Sequence, residues 1–377
     1  MAALLALLAG ACVSHSDATI HFEVAARHTV SEREYLAAPR LELVRGAVVC
    51  GGERPACSGR GTVAAAADDF GRTLILADDG AVFLVHDAAV RQVGFEVNRQ
   101  GGVRRGSAGL RSEGGWAVYK WGASALQLLA PDGTPQGWTA AWPHRYFAGA
   151  DLRGETFAHL IRPLAKRAGQ DSVVAEIRVV EPRARRGEVL ARLPVVALGH
   201  EKEGGAPLRP FFEPELRWGL ADDSSVWAVT DERYRIIWIS GLAATRVLEV
   251  AAPVEPVTED DLDLAGRAFM AQMPRNAMFR RAVELDIRRR QRAAPKFFPA
   301  IADLVVADSG WILVKVSESL SNSSRWDVFD ADGTMRGYIE ESILQLLVVA
   351  GDSLLVEQRA SNGAREVRWL RGWRGAL

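Results

Sequence analysis

Short apolar runs separated by compact polar turns recur along the chain, and one local unit returns six times. It is a strand, a polar turn usually holding glycine, and a more apolar strand. It reads AADDFGRTLIL around Gly71, LRSEGGWAVY around Gly115, ADLRGETFAHL around Gly154, LADDSSVWAV around Ser225, VADSGWILV around Gly310 and VVAGDSLLV around Gly351. The turn centres lie 44, 39, 71, 85 and 41 residues apart, so a period near 40 is broken by two long insertions. Each of the first five units leads into a further strand pair: VFLVHDAAVRQVGFE, ALQLLAPDGTPQGWTA, AEIRVVEPRARRGEVLARL, YRIIWISGLAATRVLEV and RWDVFDADGTMRGYIE. In the last of these, Asp330 and Asp332 suit a tight turn because short carboxylates bond nearby amides, and Gly333 suits a position with φ > 0.

Four short strands per unit of about 40 residues predict the blade of a β-propeller. Period-2 alternation within the strands is only fair, as expected where neighbouring blades bury both faces. An antiparallel sandwich or two small β domains is the competing architecture, and six hairpins at this spacing favour an all-β, six-bladed propeller over residues 40–377. The sixth unit lacks a fourth strand, since REVRWLRGW carries the chain almost to its end. Residues 41–49 (LELVRGAVV) are expected to supply that strand and remove two exposed sheet edges. Residues 20–28 (IHFEVAARH) then cross the outside of the ring, within an N-terminal tether spanning 13–39.

The spacing before Gly310 holds a helical insertion at about 256–295, between blades 4 and 5. Thr258 with Asp261 three residues on is an N-cap signal, and Glu259 and Asp260 suit the helix dipole. Leu262, Ala265, Phe269 and Met273 share a face. Pro274 ends or kinks this helix, and a second is expected over 276–293. Its basic tail, Arg288 to Arg292, reads as a solvated helix end. Residues 199–214, rich in glycine and proline, form a long loop of the earlier insertion.

Composition narrows the function classes. The chain has 377 residues, 48% hydrophobic and 25% charged, with a formal net charge of −1, so nothing electrostatic points to nucleic acid as the main partner. Residues 2–11 form an apolar run too short for the ~20 residues that span a bilayer, and they fit the core of an export signal. The ending Leu8-Ala9-Gly10-Ala11-Cys12 resembles a bacterial lipobox, which implies lipidation at Cys12 and an export signal over residues 1–12. Plain secretion and a buried cytoplasmic N-terminal segment are the alternatives. Cys50 and Cys57, in CGGERPAC, can close a small disulfide loop in an oxidising compartment; two unpaired thiols are the alternative.

Three stretches carry a resemblance: RTLILADD at 72–79, VWAVTDERYRIIWIS at 226–240 and RWDVFDADGTMRG at 325–337. They resemble the bacterial extracytoplasmic six-bladed β-propellers related to NHL-repeat and TolB-like rings, over roughly residues 40–373. The resemblance implies an extracytoplasmic protein, lipid-anchored to the cell envelope or secreted.

No GxSxG, HExxH, P-loop or CxxC motif is present. DADGTMRGYIE lacks the third acidic position and the helices of a calcium loop, so a hairpin turn is the better reading. His86, His144, His159 and His200 are scattered, and Trp116, Trp227 and Trp311 fall at equivalent places in their units, which points to packing between blades. The sequence therefore assigns no catalytic residue, metal site or cofactor. It favours a monomeric envelope binding or scaffold protein that holds a protein or small ligand on one ring face and meets the membrane only through a lipid anchor. The alternative is a propeller hydrolase or lyase with metal or carboxylate chemistry at the channel mouth.

Overall fold

The computed structural model describes residues 26–374 except 52–60, 88, 94–105, 112–113, 121–124, 141–146, 154–155, 162–171, 180–186, 197–209, 214–215, 222–224, 231–232, 241–242, 272–276, 308–309, 317–323 and 361. Strand β1 (Ala26–Val30), helix α1 (Glu32–Ala37) and strand β2 (Val44–Gly51) come first. Blade 1 is β3 (Thr62–Ala67), β4 (Arg72–Ala77), β5 (Val82–His86) and β6 (Ala89–Val93). Blade 2 is β7 (Gly106–Leu110), β8 (Trp116–Lys120), β9 (Ala125–Leu129) and β10 (Pro135–Ala140). Blade 3 is β11 (Phe147–Arg153), β12 (Thr156–Ile161), β13 (Ser172–Val179) and β14 (Val189–Val196). Blade 4 is β15 (Arg217–Leu220), β16 (Val226–Val229), β17 (Arg235–Ser240) and β18 (Ala243–Val250). Helices α2 (Glu259–Ala271) and α3 (Ala277–Arg292) follow. Blade 5 is β19 (Ile301–Val306), β20 (Ile312–Val316), β21 (Ser324–Phe329) and β22 (Met335–Glu341). Blade 6 is β23 (Ile343–Ala350), β24 (Ser353–Arg359) and β25 (Arg365–Arg371), completed by β2.

The first strand of each blade touches the first strand of the next around a closed cycle, with β23 returning to β3. This is a six-bladed β-propeller. Each of the six repeated turns is the connection between a blade's first and second strands. One apolar cluster fills each gap between blades. Leu74 and Leu76 meet Trp116 and Val118 between blades 1 and 2. Ile75 points the other way, into the gap shared with Leu355 and Val367 of blade 6. Adjacent residues of one strand thus serve opposite gaps, which is why hydrophobic alternation is weak. Trp116, Trp227 and Trp311 pack in these gaps as expected. Burial of each such large side chain contributes on the order of 2 kcal/mol.

The tight turns share one construction. At Asp330–Thr334 the first residue's N–H donates to the fifth carbonyl at 3.0 Å, and Gly333 N–H donates back to Asp330 O at 2.9 Å. The pattern repeats at 68–72, 77–81, 111–115, 130–134, 307–311 and 360–364. The fourth residue is always glycine, with φ between 76° and 87°, the left-handed bulge position of a three-residue hairpin loop. Asp330 Oδ1 also accepts from the amides of Asp332 at 3.0 Å and Thr334 at 2.9 Å. The Asp-x-Asp-Gly cluster is a turn in the outer hairpin of blade 5.

The N-terminal segment straps the outside of the ring. β1 pairs in parallel with β18, giving blade 4 a fifth strand. Ser31 and Glu34 form a reciprocal capping box that starts α1. Pro39 O and Leu41 N then bond both sides of Tyr338, at 2.9 and 2.7 Å, on the outer strand of blade 5. β2 closes blade 6 by antiparallel pairing with β25. The expected closing strand is therefore observed, shifted to Val44–Gly51. The described part of the 20–28 strand belongs to β1, which runs on to Val30 and bonds to blade 4.

Candidate binding face

Strand direction sorts the connections onto two faces. In every blade the strands alternate in direction from inner to outer, so each outer strand ends on the face where the next inner strand begins. Four of these crossovers are long, at 52–61, 94–105, 197–216 and 251–300, and the last two are the longest stretches between strands. The opposite face is made largely of the tight glycine turns. It exposes Asp69, Asp87, Asp132, Asp332 and Asp352. Binding residues concentrate on loops held by a rigid scaffold, so the crossover face is the candidate site.

Its best-defined feature is the α2–α3 hairpin. Thr258 Oγ1 accepts from Asp261 N–H at 3.3 Å, while the Asp261 carboxylate accepts from Thr258 N–H at 3.0 Å. This completes the capping box read from the sequence. Gly266 lets the helices close, because a Cβ there would sit 3.0 Å from Ile287 Cγ2. Gln291 donates to Leu262 O at 3.2 Å. The hairpin's base is pinned by Val257 N–H to Lys296 O at 3.0 Å and Phe298 N–H to Glu255 O at 2.9 Å.

Two adjacent phenylalanines fix the hairpin to the turn before β15. Phe211 meets Phe269 edge-on at 6.1 Å, and Phe212 meets Phe298 at 4.8 Å. Phe212 adopts φ = 58°, a left-handed backbone that a bulky residue rarely takes. That conformation is held where the two rings meet separate partners.

The same face carries a clamp where blade 6 meets blade 1. Gly61 N–H donates to Asp78 Oδ2 at 3.0 Å, and Thr62 N–H to buried Glu357 Oε1 at 3.2 Å. Arg365 lies 3.5 Å from the same Glu357 oxygen. Burial pushes the Glu357 carboxyl up from its ordinary value, against the pull of Thr62 and Arg365. These bonds seat the end of the connection that contains Cys57.

A second buried polar group lies between blades 4 and 5. Asp327 accepts from Tyr234 Oη at 2.9 Å and from Arg325 Nε at 2.7 Å. The Arg325 guanidinium stacks between Tyr35 and Tyr338, 4.3 and 4.2 Å from the ring centres. Burial raises the Asp327 carboxyl despite Arg325, and burial beside Asp327 raises the Tyr234 phenol well above its usual range. This network ties the strap to two blades. The sequence reading missed it, although a lone Asp in the apolar strand RWDVF and the Ser31-x-x-Glu34 capping signal were both legible.

Other sequence candidates are dispersed. His86 is exposed on the turn face, 3.9 Å from Asp87. His159 lies in β12 of blade 3. His144, His200, Cys12 and Cys57 lie outside the described residues, and Cys50 is buried near the end of β2. Among the described residues no three His, Cys, Asp or Glu side chains gather as a metal site would require, and no helix is long and apolar enough to cross a membrane. The described carboxylates with strong contacts serve blade architecture: Asp68 pairs with Arg72, Glu176 with Arg178 and Arg192, and Asp330 with Arg336.

No family model matches the chain. No curated protein matches it either. Among solved structures, a Bacteroides fragilis protein with an exported-protein designation is similar at TM-score 0.52 and 10% identity, over 92% of this chain and 99% of that one. The PQQ-bound aldose sugar dehydrogenase of Streptomyces coelicolor has TM-score 0.46 and 9% identity, over 89% and 99% of the two chains. A duf4221 family member from Bacteroides vulgatus has TM-score 0.46 and 9% identity, over 88% and 98%. At these identities the likeness concerns the fold alone.

Proposed function

We propose that this chain is a binding or scaffold β-propeller of the bacterial cell envelope, of the NHL/TolB-like kind, holding its ligand on the crossover face. One observation supports the reading: the long crossovers and the helical hairpin share one face, whereas five of the seven tight glycine turns lie on the other. The apolar run at residues 2–11 supports export, in keeping with the exported designation of the Bacteroides fragilis structure. We further propose lipid attachment at Cys12, a Cys50–Cys57 disulfide, and a monomeric ring.

Site-specific photo-crosslinking in intact cells tests this. Probes at exposed Lys296 and Asn362 lie on the crossover face, and probes at Asp69 and Asp352 lie on the turn face. Adducts are expected from the first pair alone. Adducts confined to the turn face, or metal-dependent turnover of esters or lactones by purified protein, would overturn the reading.

A further inference from the structure

We infer that the outer side of α3 is a docking surface for an acidic protein segment, an inference that rests on the crossover face being the binding face. Arg281, Leu285, Arg288 and Arg292 fall at i, i+4, i+7 and i+11, on one narrow stripe of the helix, with Arg289 beside it. All four arginines are exposed, and Leu285 is 51% exposed between them.

The four arginines stand apart from the paired arginines of the blades by clustering on one helix. Arg72, Arg178, Arg192, Arg325, Arg336, Arg365 and Arg368 all sit against a carboxylate. Within α3 itself, Arg290 turns inward, bonding Asp286 at 2.8 Å and lying 4.8 Å over the Phe269 ring. Among the described residues Arg281, Arg288, Arg289 and Arg292 pair with no carboxylate. The acidic side chains nearby are Glu259, Asp260 and Asp263 of α2 and Glu284 of α3, all exposed; four arginines against Glu284 still leave the α3 stripe with net positive charge.

The chemistry selects the occupant. A helix that lies in a membrane surface needs a broad apolar face turned to lipid. The apolar side of α3 faces α2 instead, with Ile287 against Gly266. What remains is a row of planar guanidinium donors, suited to carboxylates, around one apolar anchor. A rigid helix carrying both fits a Glu- or Asp-rich polypeptide with an aliphatic side chain at matching spacing.

The test measures fluorescence polarisation of a labelled peptide of Glu and Leu against the full chain. A Gln and Leu counterpart serves as control, and vesicles of phosphatidylglycerol with phosphatidylcholine as a competing surface. The acidic peptide is expected to bind, to weaken with salt, and to lose about tenfold or more in affinity when all four arginines become glutamine. Arg33→Gln with Arg371→Gln, exposed elsewhere, should leave binding unchanged. Arg288→Gln with Arg292→Gln alone should show an intermediate loss, so that one folding failure does not end the test. Equal peptide binding by the fourfold variant overturns the inference. So does preferential vesicle binding, or self-association in sedimentation that the fourfold change abolishes. If crosslinks from Lys296 and Asn362 persist undiminished in the fourfold variant, the face reading stands and the arginine stripe is wrong.

Discussion

The Tyr234 hydroxyl donates to Asp327 Oδ2 at 2.9 Å, joining blade 4 to blade 5 through a carboxylate with no exposed surface. Removing one partner from such a group leaves the other desolvated and unpaired. Tyr234→Phe is expected to lower unfolding stability by about 1–3 kcal/mol. Asp327→Ala should cost more, about 3–5 kcal/mol, because Arg325 then lies half-buried without its counter-charge. Denaturant unfolding of both single variants and the double should give less than the sum, since the residues share one network. Additive losses would show that the hydroxyl and the carboxylate act separately.

The strap should detach before the ring unfolds. Its hold on blade 5 is the Tyr35 ring against Arg325 and the paired bonds of Pro39 and Leu41 with Tyr338. A Cβ at Gly337 would stand 2.5 Å from Pro39 O, so Gly337→Ala pushes against this seat. Tyr35→Ala and Gly337→Ala should each speed amide exchange in β1 and α1 while leaving β4 and β20 protected. Uniform acceleration across all blades would contradict a locally detachable strap.

The architecture was legible because its repeat is carried by local chemistry. Glycine at the left-handed turn position and apolar strands around it mark most units, whatever the neighbours do. Thr258 and Asp261 likewise announce α2 within a few residues. The strap's docking was legible only in part: residues 41–49 read as a strand, but nothing local says that Tyr35 lies against Arg325, 290 positions on. The proposed binding face was illegible for another reason. It depends on strand direction around a closed ring, which no single turn reveals. Arg288 and its neighbours read as a solvated helix end, because only packing shows which arginine turns inward.

Acid should expose the role of Asp330. Burial opposes its charge, but the Thr334 and Asp332 amides and Arg336 prevail and hold its carboxyl below the usual 3.8. A carboxyl lowered by folding stabilises the native state fully above its unfolded pKa, and that gain fades as pH falls through the folded value. Asp330→Asn should therefore cost about 1–2 kcal/mol at neutral pH, where the charged acceptor is lost. The gap from the parent should narrow below pH 3.8. Thermal unfolding across that range measures it, and a gap that widens in acid would contradict the assignment. Ligand capture at the crossover face should be unchanged by this variant, since Asp330 lies on the other face.

Excising the hairpin separates the ring from the proposed docking surface. The bonds from Val257 to Lys296 and from Glu255 to Phe298 bring the two ends of the insertion together below the helices. A short Gly-Ser link replacing residues 259–294 can therefore bridge the gap without moving blade 4 or blade 5. The loss is the Phe211–Phe269 contact, about 0.5–1.5 kcal/mol beyond its buried area. The ring should keep its cooperative unfolding, with a midpoint lower by a few degrees, while binding of the acidic peptide disappears. By contrast, removing residues 1–51 takes away β2 and leaves the β25 edge unpaired. That truncation should aggregate or fail to unfold cooperatively. If the hairpin excision behaved like the strand truncation, the helices would be part of the ring's core and their arginine stripe an incidental surface.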